Sequence, residues 1–437
     1  MLGHYIDLAL RSFRRSKALT ALMVLAIGLG IGASMTTLTV FHVLSGDPIP
    51  QKSGQLFYVQ LDAQGKGDYT PGEEPDEQLT RFDATTLLQE AKGQRQVMMS
   101  GGAAPVQAAD GDAASLAPFF GDLRYSSADF FPMFDTPFRY GRAWVAADDE
   151  AHARVTVLSA ELNDRLFGGT DSTGRTLRVD GHDLRIVGVL APWRPVPRFY
   201  DLMSQDTYAG TDLAFLPFST AMDLKLSRAG STSCWGDIKG DPQGMNTPCS
   251  WIQYWVQLDN AAQVRSYRTY LDNYSDRQHS AGRFERPNNW RLRSVMEVLD
   301  FEHVVPSDVR LQLWLAFGFL AVCLLNTVGL LLAKCLRRAP EIGVRRALGA
   351  SRREIFMQFV VEAGVVGLAG GALGLLLALA GLWGVRQNPA EYAKLAHLDG
   401  PMLAANFVLA LIASLLAGLL PAWRACGVTP ALQLKSH

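Results

Sequence analysis

Charged side chains are missing from four long stretches of this chain. Residues 18–46, 311–333, 363–385 and 400–423 contain no Lys, Arg, Asp or Glu. Each exceeds the roughly 20 residues an α-helix needs to cross the hydrocarbon core of a bilayer. One such run suits a buried helix of a soluble core, but four of them exclude a simple soluble domain. Histidine and cysteine are also scarce, at 8 and 5 residues of 437. Neither clusters at metal-ligand spacing, and no nucleophile stands in a pattern with a base. The chain is therefore expected to be no enzyme and to hold no metal or cofactor of its own. A net charge of -1 leaves no basic excess for a nucleic acid. The four runs lack the polar side chains that would line a hydrophilic channel, which favours transmission of movement over a water-filled route.

The charges that are present give an orientation. Arg11, Arg14, Arg15 and Lys17 precede the first run, and Lys334, Arg337, Arg338, Arg345, Arg346, Arg352 and Arg353 lie between the second and third. Arg424 and Lys435 follow the fourth. The positive-inside rule puts both termini and the 334–354 stretch in the cytoplasm. The expected organisation has a cytoplasmic amphipathic helix at 1–17 lying on lipid and spans at 18–46, 310–333, 363–385 and 401–423. A cytoplasmic elbow occupies 334–362, a short outer loop 386–400 and a cytoplasmic tail 424–437. Glu362 opens the third span and reads as a charge at the interface, with a buried, partnered charge as the alternative.

Residues 47–309 are then a large outer domain. From 46 to 309 the chain carries 36 acidic and 25 basic residues. Short alternating runs at 154–159, 176–179, 184–190 and 251–259 read as strands. Asp180-Gly181 marks a hairpin, and 160–167 and 261–274 read as helices. The fold expected is a membrane α-helical protein of four transmembrane helices, with an α+β periplasmic domain inserted between the first and second. Two lobes are anticipated, one inserted at about 121–250. Cys234 and Cys249 flank a loop of Gly, Pro, Ser and Asn, and in an oxidising compartment the pair reads as a disulfide.

The 334–362 segment has its own logic. Pro340 cannot continue a helix from the second span. Glu341 to Leu348 can form two turns, with its acid at the positive end of the dipole and Arg345 and Arg346 at the negative end. Gly349 suits a helix stop. Ser351 and Glu354 match a capping box that opens the next helix. The spans carry glycines four apart, Gly28 with Gly32, Gly367 with Gly371 and Gly370 with Gly374, a spacing that lets helix backbones approach. They suit packing within one subunit or along a seam between two.

The run from Glu341 to Ile355, with Gln358, Phe359 and Glu362, resembles the signature of MacB/FtsX-like ABC transporter permeases. Pro421-Ala422-Trp423-Arg424-Ala425 resembles the family's C-terminal ending. Gly141-Arg142, Leu166-Phe167-Gly168, Gly174-Arg175-Thr176-Leu177 and Val187-Gly188-Val189 look like its periplasmic domain. Arg337-Arg338 departs from the acid–arginine pair of many members.

The resemblance implies a permease subunit in the bacterial inner membrane. Its coupling helix docks on a cytoplasmic ABC ATPase through Glu341, Gly343, Arg345, Arg346, Ala347, Gly349 and Arg353. ATP and Mg would be held by that ATPase. Residues 169–176 imitate a phosphate-binding loop, but Arg175 stands where its lysine is required, so a separate ATPase chain is expected. A second permease, identical or a sister chain, is implied as well. So is a periplasmic adaptor with an outer-membrane channel, for efflux of a peptide or small molecule. Extraction of a lipoprotein from the inner membrane, or regulation of a cell-wall hydrolase or signalling partner without transport, are the alternatives.

Overall fold

The computed structural model describes residues 16–67, 69–110, 117–203, 207–238, 240–388 and 390–426. The expected amphipathic helix at 1–17 and most of the 424–437 tail lie outside them. The chain divides into two units, one formed by Met1–Ser45 with Val305–His437, the other by Gly46–Val304.

The helical unit contains the four uncharged runs. They lie in helix α1 (Lys17–Ser45) and in three helices from its C-terminal part, Ser307–Arg337, Arg352–Arg386 and Gly400–Cys426. All four are long and apolar enough to cross a membrane. The spaced glycines pack them closely within this one chain. A Cβ placed on Gly32 would lie 2.7 Å from Leu377 Cβ, and one on Gly370 would lie 2.6 Å from Ile27. Gly28 and Gly374 face each other along the same seam. Gly367 and Gly371 lie against Ser414 and Ala410 of the last helix, where a methyl group would not fit. Ile27, Ile31, Leu320, Val366, Ala378 and Ala413 fill the space between the helices.

The second unit, called the α/β unit for its mixed content, has the expected α+β arrangement, since its strands pair mostly antiparallel. Its central sheet uses β1 (Leu56–Leu61), β2 (Arg95–Ala108), β3 (Phe119–Ser126), β4 (Phe138–Gly141), β5 (Val155–Leu158), β6 (His182–Leu190), β7 (Ala214–Pro217), β8 (Cys249–Gln257) and β9 (Trp290–Ser294). They run in the order β9-β1-β8-β2-β3-β7-β5-β6-β4. The late strands β8 and β9 thus return to flank β1. The ladder continues through the anticipated lobe boundary near 121, because β2 and β3 pair from Met99 with Ser126 to Val106 with Phe119. Helices α2 (Arg81–Glu90), α3 (Phe130–Met133), α4 (Ala146–Glu150), α5 (Ala160–Phe167), α6 (Phe218–Asp223), α7 (Ala261–Ser280) and α8 (Val295–Phe301) complete the unit. One apolar cluster includes Leu87, Leu162, Trp251 and Tyr274, and a second includes Phe130, Trp144, Phe215 and Trp255.

Local signals explain several of these elements. Asp180 and Gly181 both have positive φ, 47° and 80°, as a two-residue hairpin turn demands. The stretch resembling a phosphate loop is a turn leading into a strand. Arg175 pairs with Asp110 at 2.7 Å and stacks over Phe167.

Cys234 and Cys249 form a disulfide across the paired segments Ser233–Cys234 and Cys249–Ser250. The two cysteines are 15 residues apart, and closing a loop of that length stabilises a fold by up to about 3 kcal/mol through the unfolded chain. The Cys234→Ser/Cys249→Ser chain is expected to lose stability up to that amount, read from denaturant midpoints. An unchanged midpoint would show that the bond contributes nothing.

Candidate coupling site

The site is an elbow between two long helices. Helix α9 (Ser307–Arg337) ends one residue before α10 (Ala339–Ala347), and Arg338 links them. Pro340 occupies the first turn of α10, where its missing N–H costs nothing. Glu341 and Arg345 form an i,i+4 pair at 2.9 Å.

The exit from α10 needs glycine. Gly349 has φ +105°, a left-handed conformation that L side chains avoid. The Ala350 N–H donates to Arg345 O at 3.0 Å and the Gly349 N–H to Arg346 O at 3.2 Å. These two bonds satisfy the last carbonyls of the helix in a Schellman turn. Two residues later α11 (Arg352–Arg386) begins, capped by Ser351. The Ser351 N–H donates to Glu354 Oε2 at 2.9 Å, and Ser351 Oγ accepts from the Glu354 N–H at 3.3 Å. So few residues in two fixed turns leave little slack between α10 and α11.

Side chains tighten the elbow. Arg345 also donates to Gln358 of α11 at 3.3 Å. Ile342 packs with Cys335, Ile355, Phe359 and Ala422, drawing α9, α11 and α12 (Gly400–Cys426) around the short helix. Gly343 is buried on this inner face. Glu341, Arg345, Ala347, Gly349 and Arg353 are exposed, and Arg346 is half-buried. The outer face also presents Val344 at 53% and Leu348 at 82% exposure. These two apolar side chains escape a reading of charges. Their signal is the three- to four-residue spacing opposite Ile342.

Glu362 is buried and partnered, the second of the two readings. It is 1% exposed, ion-paired with Lys334 of α9, and its other oxygen is 3.7 Å from Arg338. A surface position fails because Glu362 follows Ile355 and Phe359 at helical spacing onto the packed side of α11. The departure at Arg337-Arg338 gains a structural meaning here, since Arg338 completes this buried cluster at the junction between α9 and α10. Among the described residues no group of His, Cys, Asp and Glu is arranged to hold a metal.

Comparison with known proteins gives consistent matches. Residues 20–274 match the family described as MacB-like periplasmic core domain, and residues 313–430 match the FtsX-like permease C-terminal family. The macrolide export ATP-binding/permease protein MacB of an Azoarcus species is 24% identical over 98% of this chain and 59% of its own length. The pyoverdine export ATP-binding/permease protein PvdT of Pseudomonas savastanoi pv. phaseolicola is 24% identical over 96% of this chain and 57% of its own. The chain thus spans about three fifths of the length of these relatives. The crystal structure of the periplasmic region of MacB from Actinobacillus actinomycetemcomitans is similar at 15% identity, covering 58% of this chain and 94% of that one, with a TM-score of 0.36.

Proposed function

Since the chain belongs to the MacB/FtsX-like permease family, we propose that it is a multi-pass inner-membrane subunit that passes ATP-driven movement from a cytoplasmic ABC ATPase to its α/β unit. The observation that carries the reading is α10, a short helix clamped to α11 with Val344 and Leu348 uncovered on its outer face. Force on that face reaches α11 through Ile342 and Arg345 without an intervening flexible link. ATP and Mg are assigned to the ATPase.

Charge asymmetry supports a cytoplasmic elbow and termini. The disulfide supports an oxidising, periplasmic location for the α/β unit. A second permease, identical or a sister, fits α9. A Cβ on Gly318 or Gly329 would meet no atom of another element within 4 Å, and Asn326 is exposed on the same helix. Small and polar residues favour contact with another helix rather than lipid. The activity proposed is efflux of a peptide or small molecule with a periplasmic adaptor and outer-membrane channel; the relatives' names support export alone.

The test is Leu348→Asp. An apolar anchor at a protein interface is worth about 2 kcal/mol, so retention of the ABC ATPase by the tagged chain is expected to fall roughly thirtyfold. The circular dichroism of the chain should not change. Unchanged retention, with unchanged stimulation of ATP hydrolysis, would remove α10 as the docking element.

A further inference from the structure

The coupling site leaves unused a groove of about 1470 Å³ in the α/β unit. It opens where β3 ends beside Met98 of β2, with α2 on one side and α4 and α6 on the other. Small-ligand pockets usually occupy roughly 300–1,000 Å³, so this space accepts a sizeable molecule.

Its charge is one-sided. Five carboxylates line it against two guanidiniums, Arg81 and Arg142. Two of the acids already have side-chain partners, since Lys52 pairs with Asp135 and His152 lies 2.5 Å from Asp223. Asp129, Asp149 and Glu150 have no ion-pair partner among the described residues.

Asp149 is the most confined of the three. It accepts the Ala128 N–H at 3.0 Å and the Ser219 hydroxyl at 3.3 Å. Burial raises its carboxyl to about 6, outweighing these hydrogen bonds. Aromatic rings share the lining. Phe131 meets Trp144 edge to face at 4.7 Å, and Phe218 lies across on α6. Phe131, Trp144 and Phe218 are almost wholly buried and give the groove an apolar wall beside its acids, a combination that suits an organic cation with an apolar body.

We propose that this groove binds an amphipathic organic cation, with its ammonium or guanidinium group at Asp149 and its apolar body along Phe131, Trp144 and Phe218. An anion meets the wrong charge there, and a neutral apolar ligand leaves the carboxylates unmatched. The assignment does not depend on the coupling reading, because binding is measured without nucleotide or ATPase.

The experiment uses the full chain in nanodiscs of zwitterionic lipid, with empty discs subtracted. The probes are rhodamine 6G, a cation, and rhodamine B, a like-sized zwitterion at neutral pH. The wild type is expected to bind the cation at least about tenfold more tightly, since one charged contact supplies that much. Asp149→Asn should abolish that preference. Thr85→Trp, which fills the groove from α2 and leaves the Asp149 hydrogen bonds intact, should weaken the cation about tenfold. Equal binding of both dyes, binding no greater than to empty discs, or wild-type affinity in both variants overturns the proposal. If Asp149→Asn fails to fold by circular dichroism, the Thr85→Trp result decides alone.

Discussion

Replacing Glu362 by alanine is expected to destabilise the helical unit by about 3–5 kcal/mol, the usual cost of stranding one member of a buried ion pair. Lys334 is 4% exposed and Arg338 lies close by, so the deletion leaves two cations crowded among apolar helices. Water cannot replace the lost carboxylate at this depth. Lys334→Met/Glu362→Leu is expected to recover most of the loss, because well-packed apolar residues often match a buried pair in stability. Thermal unfolding of the purified chain reads both effects. A single variant that melts with the wild type would show the pair to be solvated. A double variant as unstable as the single would show that packing, not charge, is responsible.

The same pair bears on coupling. Glu362 fastens the end of α9 and the Arg338 junction to α11, while Arg345 and Ile342 fasten α10 to α11 from the other side. Under the proposed function the apolar double variant should therefore retain its ATPase yet transmit movement poorly, because nonpolar contacts slide where an ion pair fixes register.

Legibility in the sequence followed the range of each interaction. The spans were readable because lipid demands long uncharged runs whatever they pack against. The capping box at Ser351 and Glu354 and the glycine stop at Gly349 were readable because they involve neighbours within a few residues. The same holds for the strand Thr176–Val179 and the helix Ala160–Phe167, both present at the expected bounds. The helix from Ala261 runs on past 274 to Ser280, because its polar later turns carry no apolar stripe to mark them. Glu362 left two readings open because its partners are 28 and 24 positions away, on α9 and at its junction with α10. Gly343 was carried over by position from the family's coupling helix, and no local pattern says that it lies on the packed side of α10. Continuity of β2 with β3 across the expected lobe boundary, and the groove beside it, arise from tertiary packing that no local pattern carries.

Arg124→Ala is expected to have the largest effect in the α/β unit. The guanidinium is 0% exposed. It donates to Asp212 at 3.1 Å through Nε and to Gln253 at 3.2 Å through Nη1, and it pairs with Asp201. Arg198 closes the cluster, 2.7 Å from Asp212 and 3.1 Å from Asp201, so two guanidiniums balance two carboxylates. Tyr200 donates to Asp212 at 3.1 Å. Removing Arg124 leaves two buried acids facing one base. The loss expected is about 3–5 kcal/mol or more, a large share of the 5–15 kcal/mol that usually holds a domain together. Arg124→Met/Asp212→Leu restores neutrality and should recover part of it.

The pH profile separates charge from packing. Burial raises the Asp201 carboxyl, but Arg124 and Arg198 outweigh burial and hold it well below the usual carboxylate range. Its contribution is complete above the unfolded value near 4 and is lost as the pH falls through the folded value. Asp149, raised to about 6 by burial, and Glu302, raised to about 7 by burial and by Glu77, act the other way. Folding protonates them, so they add stability as the pH falls from 7 toward 4. The wild-type unit should therefore melt highest near pH 4 and decline on the acid side of it. Arg124→Ala should melt lower throughout and lose most of that acid decline, because Asp201 is then no longer held ionised. A variant whose melting curve keeps the wild-type acid limb would show that Arg124 stabilises this sheet by shape alone.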